Sequence, residues 1–238
     1  GPERTQAEAT TEDREHYAKV SERFESRSQE FRTDVREYVD MAESGELRKI
    51  DTSYGRLLAE LRDEDLALRD QARHQFEAFL AKYPGGTYTP HVMYRLADLY
   101  FDDALTQFTR DYEAYNNLSD EEFMYAEEPK MQFERSINLY RQIIEGDFDY
   151  RDMDGAYYML AYCHMEERSS SYNLSSGRHY FEEMVSRFPN SEFANDAHMR
   201  LGEFYFEEND LQRATAHYRL IVEGGEAARH YDKGLYKL

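Results

Sequence analysis

One interval constrains this 238-residue chain more than any other feature. Twenty residues separate Phe76 from Leu96, Tyr140 from Leu160, Phe181 from Leu201 and Tyr218 from Leu238. Each pair joins two recurring patterns. The first is an apolar run that ends on leucine and a small residue: Pro90-His-Val-Met-Tyr-Arg-Leu96-Ala97, Asp154-Gly-Ala-Tyr-Tyr-Met-Leu160-Ala161, Asn195-Asp-Ala-His-Met-Arg-Leu201-Gly202 and, at the end, Asp232-Lys-Gly-Leu-Tyr-Lys-Leu238. The second sets a small residue ahead of an aromatic and then an apolar side chain: Ala72/Phe76/Phe79, Ser136/Tyr140/Ile143, Gly177/Phe181/Met184 and Ala214/Tyr218/Ile221. The reverse interval varies, being 44 from Leu96 to Tyr140, 21 from Leu160 to Phe181 and 17 from Leu201 to Tyr218. Steps of three and four place apolar side chains on one face of a helix. Short helices with such faces must stack on their neighbours, so the chain is expected to be all-α, with extra residues admitted at only one of the two turns.

The small residues Ala97, Ala161 and Gly202 let paired helices approach, and Tyr100, Phe181 and Tyr205 fill the space between pairs. Leu201-Gly202, Tyr205, Ala214, Tyr218 and Ile221 are similar, residue for residue and in spacing, to the signature of the tetratricopeptide repeat. Pro84 and Pro189 stand at that family's helix-ending proline; Asp147-Phe148 and Gly224-Gly225 replace it elsewhere. The resemblance covers about residues 47 to 238 and implies a right-handed superhelix of antiparallel helix pairs. Repeats are expected over about 46–86, 87–150, 151–191 and 192–228, with a truncated helix over 229–238.

The phrases Phe79-Leu-Ala-Lys-Tyr-Pro84 and Arg187-Phe-Pro-Asn-Ser-Glu-Phe-Ala194 resemble most the bacterial envelope branch of the family: outer-membrane assembly lipoproteins, the Tol-Pal coordinating protein and the multi-repeat envelope proteins of gliding myxobacteria. Asp154-Gly-Ala-Tyr-Tyr-Met-Leu-Ala-Tyr-Cys163 is especially similar to the last group. That likeness implies a periplasmic or outer-membrane-associated place; the alternative is the cytoplasm.

Ahead of the repeats, Tyr17, Val20, Phe24, Phe31, Val35 and Tyr38 form a seam suited to a long helix or coiled-coil arm over 3–45. Ser44-Gly45 breaks it, and Leu47, Ile50, Tyr54, Leu57, Leu58 and Leu61 then read as the first helix of the first repeat. The arm either caps the open apolar end of the stack or drives self-association. Gly1-Pro2 reads as the scar of a tag protease, and the last residues stop within a helical pattern. The chain is therefore expected to be a piece of a longer protein, whose signal, lipid anchor or further domains would lie outside it.

Charge then narrows the partners. With 49 acidic residues against 29 Lys and Arg, the net charge is −20, which excludes a phosphate backbone as the natural ligand. The 27 residues added between Leu96 and Tyr140 fall within Asp102–Glu134, a segment with ten Asp and Glu against Arg110 and Lys130. It also carries Phe108, Tyr112, Tyr115, Phe123, Met124, Tyr125 and Phe133, too many apolar side chains for a purely solvated loop. Ser119-Asp-Glu-Glu122 reads as a capping box and Glu128-Pro129-Lys130 as a helix start, so the preceding helix should run to about Asn117. The insertion is either local padding or a partner-binding edge built on Tyr112, Tyr115, Phe123 and Tyr125.

The resemblance further implies a concave groove lined by the first helix of each pair. Carried onto this sequence, that face holds Tyr94, Asp98 and Phe101, then Tyr158, Tyr162 and Glu166, then Met199, Glu203 and Phe206. Acidic and aromatic together, it suits a protein or peptide with basic and apolar residues. The same rings can equally be inter-helix core. The family's carboxylate clamps need Lys and Asn on this face, which His91 and Arg95 do not reproduce.

Gly85-Gly86 and Gly224-Gly225 lack the context of a phosphate loop and read as helix ends. The eight histidines have no metalloprotease spacing, and one cysteine, Cys163, excludes an internal disulfide. His164 beside it points about 100° away on a helix, so a buried thiol is expected. Asp147, Asp149, Asp152 and Asp154 form the best cation cluster, but Arg151 and Asp152 occupy positions where a calcium loop wants a ligand and a glycine; helix capping and solvent exposure are the expected roles. No metal, no cofactor and no enzymatic activity are expected. The expected function is a protein-binding scaffold of an envelope complex, in motility or at the outer membrane, and the alternative is a regulatory repeat module of a larger multidomain protein.

Overall fold

The computed structural model describes residues 11, 15, 19, 52–146, 148–225 and 228–238, with side chains of the first long helix described from 63 onward. The elements are α1 (Thr52–Lys82), α2 (Thr89–Asn116), the single turn α3 (Asp120–Phe123), α4 (Glu134–Glu145), α5 (Met153–Met165), α6 (Leu174–Arg187), α7 (Ala194–Glu207), α8 (Leu211–Glu223) and α9 (Tyr231–Lys237). Among the described residues there is no strand, only one isolated parallel bridge between Met131 and Ser169. The chain is an all-α helical-repeat fold, and it divides into two compact units, Gly1–Leu99 and Tyr100–Leu238.

In the first unit, α1 is one continuous helix of 31 residues. This corrects the expectation of a helix pair over 46–86. The stretch Arg62-Asp-Glu-Asp-Leu-Ala-Leu-Arg69 contains neither glycine nor proline, and Arg69 donates to Asp65 one turn back at 2.6 Å, so nothing interrupts the helix. Ala72, Phe76 and Phe79 are buried, as are Leu96 and Ala97. The Thr89 hydroxyl donates to the Tyr83 carbonyl at 2.7 Å, closing the Pro84–Gly86 turn. The arm seam from Tyr17 to Tyr38, the Ser44-Gly45 break and Leu47 and Ile50 lie outside the described residues, as do the side chains of Tyr54, Leu57, Leu58 and Leu61.

In the second unit each helix from α4 to α9 packs on the next, and the most extensive pairings are α5 with α6 and α7 with α8. The repeating triads supply the contacts. Ser136, Tyr140 and Ile143 are buried in α4, Gly177, Phe181 and Met184 in α6, and Ala214, Tyr218 and Ile221 in α8. Leu160-Ala161 and Leu201-Gly202 face them from α5 and α7. Each such ring or leucine contributes roughly 2 kcal/mol of apolar burial. Gly202 admits the ring of Tyr218, whose Cδ1 would lie 2.8 Å from an added Cβ. Gly177 lets α6 approach α5, since a Cβ there would lie 3.0 Å from the Ala161 carbonyl oxygen.

Turns and caps follow the local sequence. The carboxamide of Asn173 caps α6 by accepting from Ser176 N at 3.0 Å, and Asp210 caps α8 by accepting from Arg213 N at 3.0 Å. After α2 ends at Asn116, Ser119 and Glu122 form the expected capping box around α3. The expected helix start at Glu128-Pro129-Lys130 is not made. This segment is not helical and the next helix begins at Glu134, because Met131 is drawn into hydrogen bonds with the loop after α5.

Candidate functional site

Two of the residues predicted for the groove, Tyr94 and Asp98, lie in the first unit, both half-buried, with Asp98 paired to Arg95 at 3.6 Å. In the second unit, Phe101 stacks on the buried Phe133 at 4.8 Å between centroids and meets the edge of Tyr162 at 5.8 Å. Tyr158 stacks on Phe193 at 4.9 Å and meets Phe181 edge-on at 5.5 Å, so its ring serves the packing of α5 on its neighbours. Met199 is only 5 % exposed. It belongs to the core formed with Phe181 and Phe204, which corrects its assignment to a ligand face. Phe206 is 52 % exposed, and Glu203 is exposed with no ion pair among the described residues. Glu166 is half-buried near Tyr162, whose hydroxyl pKa is raised by burial and then by that carboxylate.

Two basic residues outside the predicted set cover rings within it. Arg200 lies over the Tyr162 ring at 4.7 Å and Lys237 over Phe206 at 5.3 Å. A third cation, Arg135, sits 3.7 Å over Tyr100 and donates to its hydroxyl at 2.6 Å. Arg200 and Lys237 share one position in the repeat, immediately before the recurring leucine, as Arg95 does. That recurrence was available as a signal. The predicted set is therefore not purely acidic and aromatic: cations cover two of its rings, while Glu203 and Phe206 are exposed.

The insertion is an ordered structure with an open tip. Rings run in a row from Phe108 to Tyr112 (5.5 Å), Tyr112 to Tyr115 (6.2 Å) and Tyr115 to Phe123 (5.0 Å). Arg168 covers Tyr112 at 5.2 Å. Its return segment is tied down where the Met131 N–H donates to the Arg168 carbonyl at 2.8 Å and the Met131 carbonyl accepts from Ser170 N at 2.9 Å. Tyr112 and Tyr115 are thus half-buried within the row, whereas Phe123, Met124 and Tyr125 are 51 %, 75 % and 85 % exposed.

The remaining titratable groups have structural partners. Cys163 is buried, and the His164 Nδ1–H donates to the Ser171 carbonyl, 3.0 Å away, while the ring stacks on Tyr180 at 6.1 Å. His198 and His217 face each other through Nδ1 atoms 3.0 Å apart, one donating and the other accepting. Burial and then the neighbouring ring push the His198 pKa down to about 4. Asp152 stands at the start of α5 but binds Arg151 at 3.0 Å instead of capping the helix, a correction to its expected role. Asp196 holds both Arg229 and His230, fastening the turn before α9 to the start of α7. Among the described residues no three His, Cys, Asp or Glu side chains are grouped to hold a metal, and no helix is long and apolar enough to cross a membrane.

Stacked hairpins, small residues at each helix crossing and a face of alternating rings and charges define a helical-repeat module. The tetratricopeptide repeat family model matches residues 173–230, from the cap of α6 to the turn before α9, and supports a tetratricopeptide repeat protein. Repeats of this family generally mediate protein–protein interactions. No curated protein and no solved structure matches the chain.

Proposed function

We propose that the protein is a non-catalytic scaffold that binds a partner peptide or protein segment on the face carrying Phe101, Tyr162, Glu166, Glu203 and Phe206. The observation that carries this reading is Phe206, a ring 52 % exposed on the first helix of a hairpin within the matched repeats. Glu203, one turn before it, offers an exposed carboxylate that is in no ion pair among the described residues. Together they suit a segment in which an apolar side chain lies beside a Lys or Arg. Panning a displayed peptide library against the chain tests this. Enriched peptides should combine basic and apolar residues, and Phe206→Ala with Glu203→Gln should lose at least nine-tenths of their capture while helicity is kept. Unchanged capture would overturn the proposal.

A place in a bacterial envelope complex, periplasmic or at the outer membrane and connected with motility, is supported by the phrases around Pro84, Pro189 and Cys163 alone. The competing reading, a regulatory module of a larger protein, is supported by the same repeats. The full reading frame separates them: a lipobox signal favours the envelope scaffold, and a kinase, transferase or DNA-binding domain favours regulation. Self-association through 3–45 is tested by light scattering of chains with and without residues 1–45, where equal masses exclude it.

A further inference from the structure

The insertion tip presents three consecutive large apolar side chains, Phe123, Met124 and Tyr125, at 51 %, 75 % and 85 % exposure. Scattered apolar residues at a surface are ordinary, but three in a row on a chain that could have buried them mark a contact surface. They are also rigidly held. The capping box on Ser119 fixes the turn, Tyr125 and Ala126 N–H donate to the Glu122 carbonyl at 3.1 and 3.0 Å, and Phe123 rests on Tyr115. Ordering therefore costs little on binding. Acidic side chains bracket the triplet on both sides, Asp120 and Glu121 before it and Glu127 and Glu128 after it. All four are exposed, and none is in an ion pair among the described residues.

This charge pattern selects the occupant. An anionic lipid surface and a second copy of the tip would both meet like charge, and a neutral apolar surface would leave the carboxylates without partners. We propose that the Phe123-Met124-Tyr125 tip is a docking point for a partner protein segment whose apolar face is bordered by Lys and Arg. The tip is separate from the Phe206 face, and the two proposals fail independently.

The chain contains no tryptophan, so Tyr125→Trp creates a single fluorescent reporter at the tip. The probe is a synthetic 18-residue amphipathic helix of Leu and Lys, titrated at physiological salt, with the Leu/Glu counterpart and phosphatidylcholine vesicles as parallel arms. Docking predicts a saturable blue shift with the Leu/Lys peptide alone. Adding Phe123→Ser and Met124→Ser should raise its dissociation constant at least tenfold with unchanged circular dichroism. No shift, an equal shift with the Leu/Glu peptide, a shift with vesicles alone, or undiminished binding in the Ser variant each overturns the proposal. The Phe206→Ala variant should leave the shift intact.

Discussion

The guanidinium of Arg200 lies 4.7 Å from the centre of the Tyr162 ring, so α7 places its own cation on a ring of the proposed binding face. Such a contact on a half-buried ring contributes about 0.5–1 kcal/mol. Arg200→Ala should therefore lower stability by no more than about 1 kcal/mol. It should also tighten binding of Lys- or Arg-containing library peptides by roughly two- to fivefold, since it frees the ring and removes a repelling charge. Fluorescence anisotropy with one such peptide measures this. Equal or weaker affinity would remove Tyr162 from the binding face.

The two close-approach glycines should not tolerate a methyl group. Alanine gains about 1 kcal/mol in helix propensity, but overpacking a tight contact costs about 1–3 kcal/mol or more. At Gly202 the obstacle is Tyr218, which is 1 % exposed and has nowhere to move. At Gly177 it is backbone, the Ala161 carbonyl oxygen at 3.0 Å and Met165 N at 3.1 Å. Both Gly→Ala variants should melt roughly 3–8 °C lower, with Gly177→Ala the more damaging. A rise in Tm for either would show that the helices can slide apart.

The His198–His217 pair should make the α7–α8 hairpin acid-sensitive. The folded His198 pKa of about 4 lies below the ordinary histidine value near 6.5, so the unfolded chain binds the proton more tightly. Stability from this group is complete above pH 6.5 and declines as pH falls from there to about 4. Allowing for solvent access, the loss is about 1–2 kcal/mol. Glu182 opposes and Arg213 reinforces the depression at His217. Urea midpoints between pH 7 and 4 should fall less steeply in His198→Gln, and an identical slope would assign the acid response elsewhere.

Phe133 anchors the end of the insertion, fully buried and stacked on Phe101. Phe133→Ala should cost about 3–5 kcal/mol, as large ring truncations in cores do. Hydrogen exchange should locate the damage, with the Met131 amide losing protection before the α7–α8 amides. Loss confined to α7 and α8 would contradict an anchoring role.

Much of this architecture was readable because burial and helical periodicity leave the same mark on a sequence. The triads from Ala72 to Ile221 and the leucines at 96, 160 and 201 are all buried, since the twenty-residue interval records the last part of one helix, a turn and the first half of the next. What escaped depends on distances across turns. Arg200 and Lys237 stand beside the leucines, yet their reach to a ring on another helix is set by how the hairpins stack. Met199 fits the open face by its offset along the helix, whereas it packs in the core with Phe181 and Phe204. The uninterrupted α1 escaped for another reason: two apolar series can share one helix when no residue between them breaks it. The Met131–Ser169 bridge joins segments with no common pattern at all.

The constant spacing on one side of each hairpin and the variable spacing on the other amount to a rule for lengthening the chain. Residues added after Asn209, where φ is 59° and the backbone already reverses, would leave α7 and α8 in register with their neighbours. Residues added between Phe188 and Phe193 would shift α7 against α6 and spoil the next layer. The 27 extra residues entered at the permissive kind of turn, and the bridge from Met131 to Ser169 brings them beside another turn of that kind. The edge formed by these turns is a grafting port, where selection or an engineer can add new peptide without retuning the stack.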